Sequence, residues 1–280
     1  MNSIRFGVEL ETHLPSLNSV NIGRRHNGHP VHCLPLSADG KNWKAEQDSS
    51  IRKPIGRTDC EFVSPILSGT EGVKNLVSAI EIIKGMDAQV NDSCGVHVTV
   101  EWTGDQAALA RLIHLVANFE QAFYGAAGTK KREQGDYCRK IKQYGNALGV
   151  IRAQQNSYTA RYHILNLTHL ATGGNRVEFR CFSGSLNAAK ITGWVMMCLA
   201  AVEVALDGRL RPFSHSTETE TAVESIKRFM MTMNWIGYSG KHRDRARGNV
   251  YEIAPSTDGL PSRTFVHNEL KRMAVKYDAE

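Results

Sequence analysis

No run of this 280-residue sequence reads as a bilayer span: the longest apolar stretch, Trp194 to Leu206, contains Glu203 and falls short of the roughly 20 residues a hydrocarbon core needs. No charged-then-apolar leader precedes the first strand-like segment, and Cys33, Cys60, Cys94, Cys138, Cys181 and Cys198 are scattered without a Cys-x-x-Cys pair. These absences argue against a membrane role and against a secreted disulfide scaffold, so a reducing cytoplasm is the expected compartment. Internal repeats and low-complexity tracts are also missing, which excludes a solenoid and a disordered linker. Composition is ordinary for a soluble globular chain, at 41% apolar and 22% charged. Thirty-four basic against 28 acidic residues give a net charge of +6. That balance favours anionic partners, among which nucleotide phosphates, nucleic acid and acidic peptides are not separated by composition.

What is present is a set of short alternating segments that carry charge on one side: Arg5–Glu11, Cys60–Val63, Val96–Glu101, Tyr162–Asn166 and Arg176–Arg180. Residues two apart share a strand face, so Glu9 with Glu11, His97 with Thr99, and Glu178 with Arg180 point one way while Val, Leu and Phe point the other. A face with so many carboxylates needs solvent, metal or ligand, because an unpaired buried carboxylate costs several kcal/mol or neutralises. The two carboxylates of Glu-x-Glu lie about 7 Å apart, twice the strand rise. A hard divalent cation such as magnesium takes carboxylate oxygens and is completed by waters and substrate phosphates, so two ions could sit between Glu9, Glu11, Glu61, Glu178 and His97. Arg180 either neutralises Glu178 or clamps a phosphoryl oxygen, and Arg161 and Asn166 are weaker candidates for the same work. Asp48 precedes Ser49-Ser50, where turn chemistry alone accounts for it.

Between the strands, helical periodicity runs through Val73, Leu76, Val77, Ile80 and Ile83, and through Leu109, Leu112, Ile113, Val116 and Phe119, with Thr103 and Asp105 as caps. Further helices are expected over 188–206, 221–233 and 261–277. Parallel strands buried on both faces would read as continuous apolar runs, and these alternate. The expected fold is therefore α+β, a largely antiparallel sheet with helices packed on one face, in a single domain whose core is 4–205 and whose residues 206–280 form a helical extension. Residues 12–42 read as an active-site loop or surface insertion. Residues 125–149 carry a local basic excess, and a further basic cluster spans Lys241 to Arg247.

Five motifs in order, Phe6-Gly7-Val8-Glu9-Leu10-Glu11, Trp43-Lys44 leading to Asp48-Ser49-Ser50-Ile51, Glu61-Phe62-Val63-Ser64-Pro65, Cys94-Gly95-Val96-His97 and Val177-Glu178-Phe179-Arg180, resemble the amidoligase family. That family groups with the glutamine synthetase and glutamate-cysteine ligase superfamily of carboxylate-amine ligases, and its members occur in phage and bacterial genomes. The resemblance covers roughly residues 4 to 200. It implies a sheet of glutamine synthetase catalytic-domain type whose charged face holds magnesium ions and ATP. Glu9 and Glu11 would bind different ions, Glu61 would be a further ligand, and Glu178 with Arg180 would match a metal-binding Glu-x-Arg strand. His97 would lie near the nucleotide phosphates and Asp48 would bind metal or amine. The implied reaction joins a small-molecule or peptide carboxylate to an amine through an acyl phosphate. The basic charge of 125–149 separately suggests a segment that could close over that intermediate and keep water out. Two other readings suit the same residues: a two-metal phosphodiesterase or nuclease, and an inactive anion- or nucleic-acid-binding protein.

Overall fold

The computed structural model describes residues 3–142, 146–155, 161–208, 219–233, 236–238, 251–253 and 260–280. The strands are β1 (Arg5–Pro15), β2 (His29–Pro30), β3 (Lys44–Glu46), β4 (Arg57–Val63), β5 (Leu67–Ser68), β6 (Gly95–Glu101), β7 (Leu165–Asn166) and β8 (Arg176–Ser183), with β9 (Ile236–Tyr238) and β10 (Tyr251–Ile253) as a separate pair. The helices are α1 (Gly69–Gly85), α2 (Gln106–Asn118), α3 (Glu120–Ala127), α4 (Lys131–Gln134), α5 (Ala147–Gln155), α6 (Thr168–Ala171), α7 (Ala188–Asp207), α8 (Ala222–Thr232) and α9 (Arg263–Ala279).

The main sheet runs β2-β3-β4-β1-β6-β8-β7, with β5 beside β1, and every strand pairing in it is antiparallel. Alternation decides its two faces. Val8, Leu10, Phe62, Val96, Val98, Val177 and Phe179 are buried in the core on one side. Helices α3 and α7 close that side: Phe123 of α3 stacks on Phe179 at 5.5 Å and Trp194 of α7 stacks on Phe182 at 4.8 Å. The short α4 and α6 instead border the charged side, where Arg132 and His169 line cavities. The α+β reading with an antiparallel sheet therefore holds.

Helix ends follow their sequence signals. Asp105 accepts from Ala108 N at 2.7 Å and caps α2, whereas Thr103 does not. Thr221 and Glu224 form a capping box on α8, and α7 ends on Gly208 at φ +70°. In α1 the buried stripe is Val73, Leu76, Ile80 and Ile83, while Val77 faces outward at its edge. One expectation needs correction. By length and composition α7 is a 20-residue helix apolar enough to cross a membrane, with a mean hydropathy of 1.6 over the qualifying stretch, because helix formation recruits Ala188–Gly193 to the apolar run. That stretch is 72% buried within the fold, as a core helix requires.

Residues 12–42 are less loop-like than expected. β1 continues to Pro15, and β2 returns the chain to pair with β3. The expected strand over 162–166 is reduced to Leu165–Asn166, preceded by an isolated bridge between Arg139 and His163. The basic cluster at 241–247 lies outside the described residues.

Helices α3 and α8 approach closely at Gly125, where an added Cβ would stand 2.4 Å from the Ala222 Cβ. Gly125→Ala should therefore force the two helices apart and cost about 1–3 kcal/mol. A urea midpoint lowered with unchanged slope would show it; an unchanged midpoint would mean that the interface is loose.

Candidate metal and anion site

The strand register sets the charged face. Glu61 of β4 lies opposite Glu11 of β1 and opposite Glu46 of β3. Glu9 lies opposite His97 of β6, and Glu178 of β8 opposite Thr99 and Asn166. Between Val96 and Val98 the pairing advances two residues on β6 but three on β8, from Phe182 to Phe179. Such an irregularity bends a strand and re-aims its side chains. It falls at Arg180 and Cys181, across from His97.

Two groups of ligand atoms converge, Glu9 with Glu61 and His97, and Glu11 with Asp48 and Glu61, the atoms within each group lying within 4.8 Å of one another. Glu61 belongs to both. His97 is 97% buried and is the hub: its Nδ1 lies 3.1 Å from Glu9 Oε2 and 3.6 Å from Glu178 Oε1, and its Nε2 lies 3.5 Å from Glu11 Oε1. Glu11 also accepts from the Gly95 backbone N at 2.5 Å. Asp48 accepts from Ser50 N at 2.8 Å, so the expected turn forms and aims the remaining carboxylate oxygen inward.

The electrostatics of this face favour cations. Burial raises the Glu61 carboxyl well above its usual range, and the neighbouring charges of Glu9, Glu11, Asp48 and Glu46 raise it further. Burial also raises Glu9, partly offset by Arg180 and His169. His97 is pushed down to about 4 by burial and then by Arg180, which leaves its ring neutral and free to offer a lone pair. Burial alone would lower Arg180, but Glu178, Glu9 and Glu11 outweigh it and hold the guanidinium above its ordinary value. Arg180 pairs with Glu178, which also accepts from Asn166 Nδ2 at 2.6 Å. The donor set is hard oxygen plus one imidazole, and it suits magnesium or a similar ion.

Two cavities open on this face. The first, about 590 Å³, meets Glu9, Glu61, His97 and Glu178 on its floor and Val63, Pro65 and Ile66 on an apolar wall. The second, about 640 Å³, reaches Glu11, Asp48 and the cations Arg52, Lys131 and Arg132. His97, Asp48, Arg25, Arg161 and Arg180 line both. The structure thus gathers Glu9, Glu11, Asp48, Glu61, His97, Glu178 and Arg180 on one face, with Arg161 at its edge.

Sequence reasoning passed over Glu46, His169 and Arg132. Glu46 ends Trp43-Lys44-Ala45-Glu46, whose alternation buries Trp43 and Ala45 on the core side, but the strand is only three residues long. His169, whose Nε2 lies 4.0 Å from Glu178 Oε2, sits on a four-residue helix that leaves no periodic signal. Arg132 was one of many basic residues in 125–149, and only the fold selects it.

A family model described as "Putative amidoligase enzyme" matches residues 2–145. No curated protein matches the sequence. Among solved structures, a Plasmodium falciparum glutamine synthetase is 10% identical with a TM-score of 0.38, over 98% of this chain and 67% of that one. The ligase PafA, in complex with the prokaryotic ubiquitin-like protein Pup, is 12% identical with a TM-score of 0.43, over 99% of this chain and 64% of that one. The chain spans about two thirds of the length of each. Both scores are too low to argue from, and the fold assignment rests on the strand order.

Proposed function

We propose, from the premise that the chain belongs to the amidoligase family of carbon-nitrogen ligases, that its charged sheet face binds magnesium and ATP and joins a carboxylate to an amine through an acyl phosphate. The observation that carries this reading is the pair of ligand groups sharing Glu61, flanked by arginines and opening on two cavities. Two reactants and one shared charged floor fit a phosphoryl transfer followed by an acyl transfer.

Glu9, Glu61 and His97 would hold one ion and Glu11, Asp48 and Glu61 another, with Glu178 beside the first through its contact with His97. Bound there, magnesium supplies positive charge to the phosphate oxygens and orients them. The apolar wall of Val63, Pro65 and Ile66 suits the purine and directs the triphosphate toward the floor. A carboxylate oxygen of the acid substrate then attacks the γ-phosphorus while the bond to the β-phosphate oxygen breaks and ADP leaves. Arg180 is held beside the floor by Glu178 and has a buried Nε without a hydrogen-bond partner, which places cationic donors where the transferring phosphoryl gains charge. The amine nitrogen next attacks the acyl carbon, phosphate leaves, and the proton given up by nitrogen passes to Asp48, which lines both cavities. Lys131, Arg132, Tyr137 and Cys138 line the second cavity, and Glu120 tethers the chain just beyond them by accepting from Ile141 N at 2.5 Å and Lys142 N at 3.0 Å, which suits a cover over that cavity.

The test is a melting curve with magnesium, ATP and both together, followed by mass spectrometry of ATP–magnesium reactions containing pooled amino acids, polyamines and peptides. The expected result is a rise in melting temperature that needs both, with new amides and stoichiometric ADP. Metal-dependent cleavage of DNA or RNA without ATP would replace the ligase with a nuclease.

A further inference from the structure

The second cavity is more basic than a metal site needs. Arg25, Arg52, Lys131, Arg132, Arg161 and Arg180 line it against the three carboxylates Glu11, Asp48 and Asp92. Asp92 already serves Arg52 at 2.6 Å and lies 3.8 Å from Lys131, and Arg180 is paired with Glu178. Arg132 differs from these. Among the described residues no carboxylate lies within ion-pair distance of it, its buried Nε has no hydrogen-bond partner, and its Nη2 donates to the Arg180 backbone oxygen at 2.7 Å. The guanidinium passes over Gly95, where an added Cβ would lie 2.9 Å from Arg132 Nη2 and 3.2 Å from His97 Nε2.

That placement is imposed from far along the sequence. Arg132 sits on the single-turn α4, which cannot hold itself. The next residue, Glu133, accepts from the Tyr277 hydroxyl of α9 and pairs with Lys140. Glu280 Oε2 accepts from Lys130 N at 2.7 Å and from Thr129 Oγ1 at 3.0 Å. The Cys138 thiol donates to the Arg132 carbonyl at 2.7 Å. Tyr277 is buried in the same core that covers the sheet, so α9 joins the apolar layer to the charged one at this point.

We infer that Arg132, positioned by Tyr277 of α9 through Glu133, binds a second anionic group on the acid substrate, so that the second cavity selects polycarboxylates over monocarboxylates. The inference rests on the ligase reading, in which the nucleotide occupies the first cavity and the acid the second. Arg52 and Lys131 share Asp92 and Arg180 is held by Glu178, whereas Arg132 has no carboxylate of its own among the described residues and lines the second cavity without lining the first. A planar guanidinium with open donors grips a carboxylate bidentately.

The test measures melting temperature with magnesium and the non-hydrolysable β,γ-imido analogue of ATP, then adds acetate, succinate or citrate. In the unmodified protein the nucleotide should give one rise, and succinate and citrate a further rise that acetate does not. Arg132→Ala should keep the nucleotide rise and lose the polycarboxylate increment, and Arg132→Lys should retain part of it. Tyr277→Phe keeps the ring in the core and should also diminish only that increment, which a merely structural tyrosine would not do. Equal responses to acetate, succinate and citrate, or a full polycarboxylate increment in Arg132→Ala, would overturn the role of Arg132. A nucleotide rise lost in Arg132→Ala would instead move this residue to the nucleotide. No nucleotide rise in the unmodified protein would overturn the ligase reading, and the inference with it.

Discussion

Glu61→Gln is expected to make the metal-free protein more stable and the enzyme inactive. Glu61 is 93% buried and faces Glu9, Glu11, Asp48 and Glu46, so in the absence of cations it raises the energy of the fold. Burial and those charges lift its folded pKa well above the unfolded value, and the sign of the pH dependence follows. Below the unfolded pKa both states are protonated and Glu61 costs nothing. As pH rises above it, the unfolded chain ionises first and folding loses stability until the folded pKa is passed. Each unit of separation corresponds to about 1.4 kcal/mol, or roughly 3–6 °C in a domain near this size. The advantage of the glutamine should therefore be near zero at acid pH and grow toward neutrality. Magnesium reverses the comparison. Glu61 belongs to both ligand groups, so the variant should lose the metal-dependent rise in melting temperature. ADP release should fall by more than about 10²-fold, the upper end of what removing even an outer-sphere partner of a metal ligand does. A variant that is less stable without metal, or still active with it, would refute the shared-ligand arrangement.

The carboxylates of this face were legible because strand alternation is a local signal. Glu9, Glu61 and Glu178 each stand between apolar neighbours that the core takes up, and Glu11 lies two residues from Glu9 between buried Leu10 and Thr12, so period two places them together once the sheet is antiparallel. Glu46 carried the same signal in a three-residue strand, too short for alternation to stand out from its loop. The helices were legible for the corresponding reason, since α1, α2 and α7 bury one stripe or all sides. Arg132 and Tyr277 were not legible. Their relation depends on how α9 docks against α3, and no sequence period encodes a contact between residues 133 and 277. The reach of β7 was overestimated because His163 and Ile164 satisfy the alternating pattern while the chain there is occupied with Arg139: Arg139 N donates to Tyr162 O at 2.9 Å and Ile164 N to Arg139 O at 2.9 Å.

Gly95→Ala should separate positioning from stability. The alanine Cβ would lie 2.9 Å from Arg132 Nη2 and 3.2 Å from His97 Nε2. The first atom is the far end of a flexible side chain, so the clash is relieved by swinging the guanidinium away, with little core to repack. The unfolding free energy should change by no more than about 1 kcal/mol, near the centre of ordinary point substitutions. The site has less freedom. His97 is wedged between Glu9, Glu11 and Glu178, so a shift of its ring disturbs the first ligand group, and the Gly95 N–H that holds Glu11 belongs to the same residue. Displacements of about 1 Å at reacting groups can cost 10²-fold in rate. Amide formation should therefore fall by about that factor while the folded fraction stays normal. Magnesium affinity, read from the midpoint of the metal-dependent melting shift, should weaken through His97 and Glu11, whereas Arg132→Ala should leave it intact. Equal metal midpoints in the two variants would place the damage of Gly95→Ala in Arg132 alone, and full activity in Gly95→Ala would show that neither side chain needs the position the fold gives it.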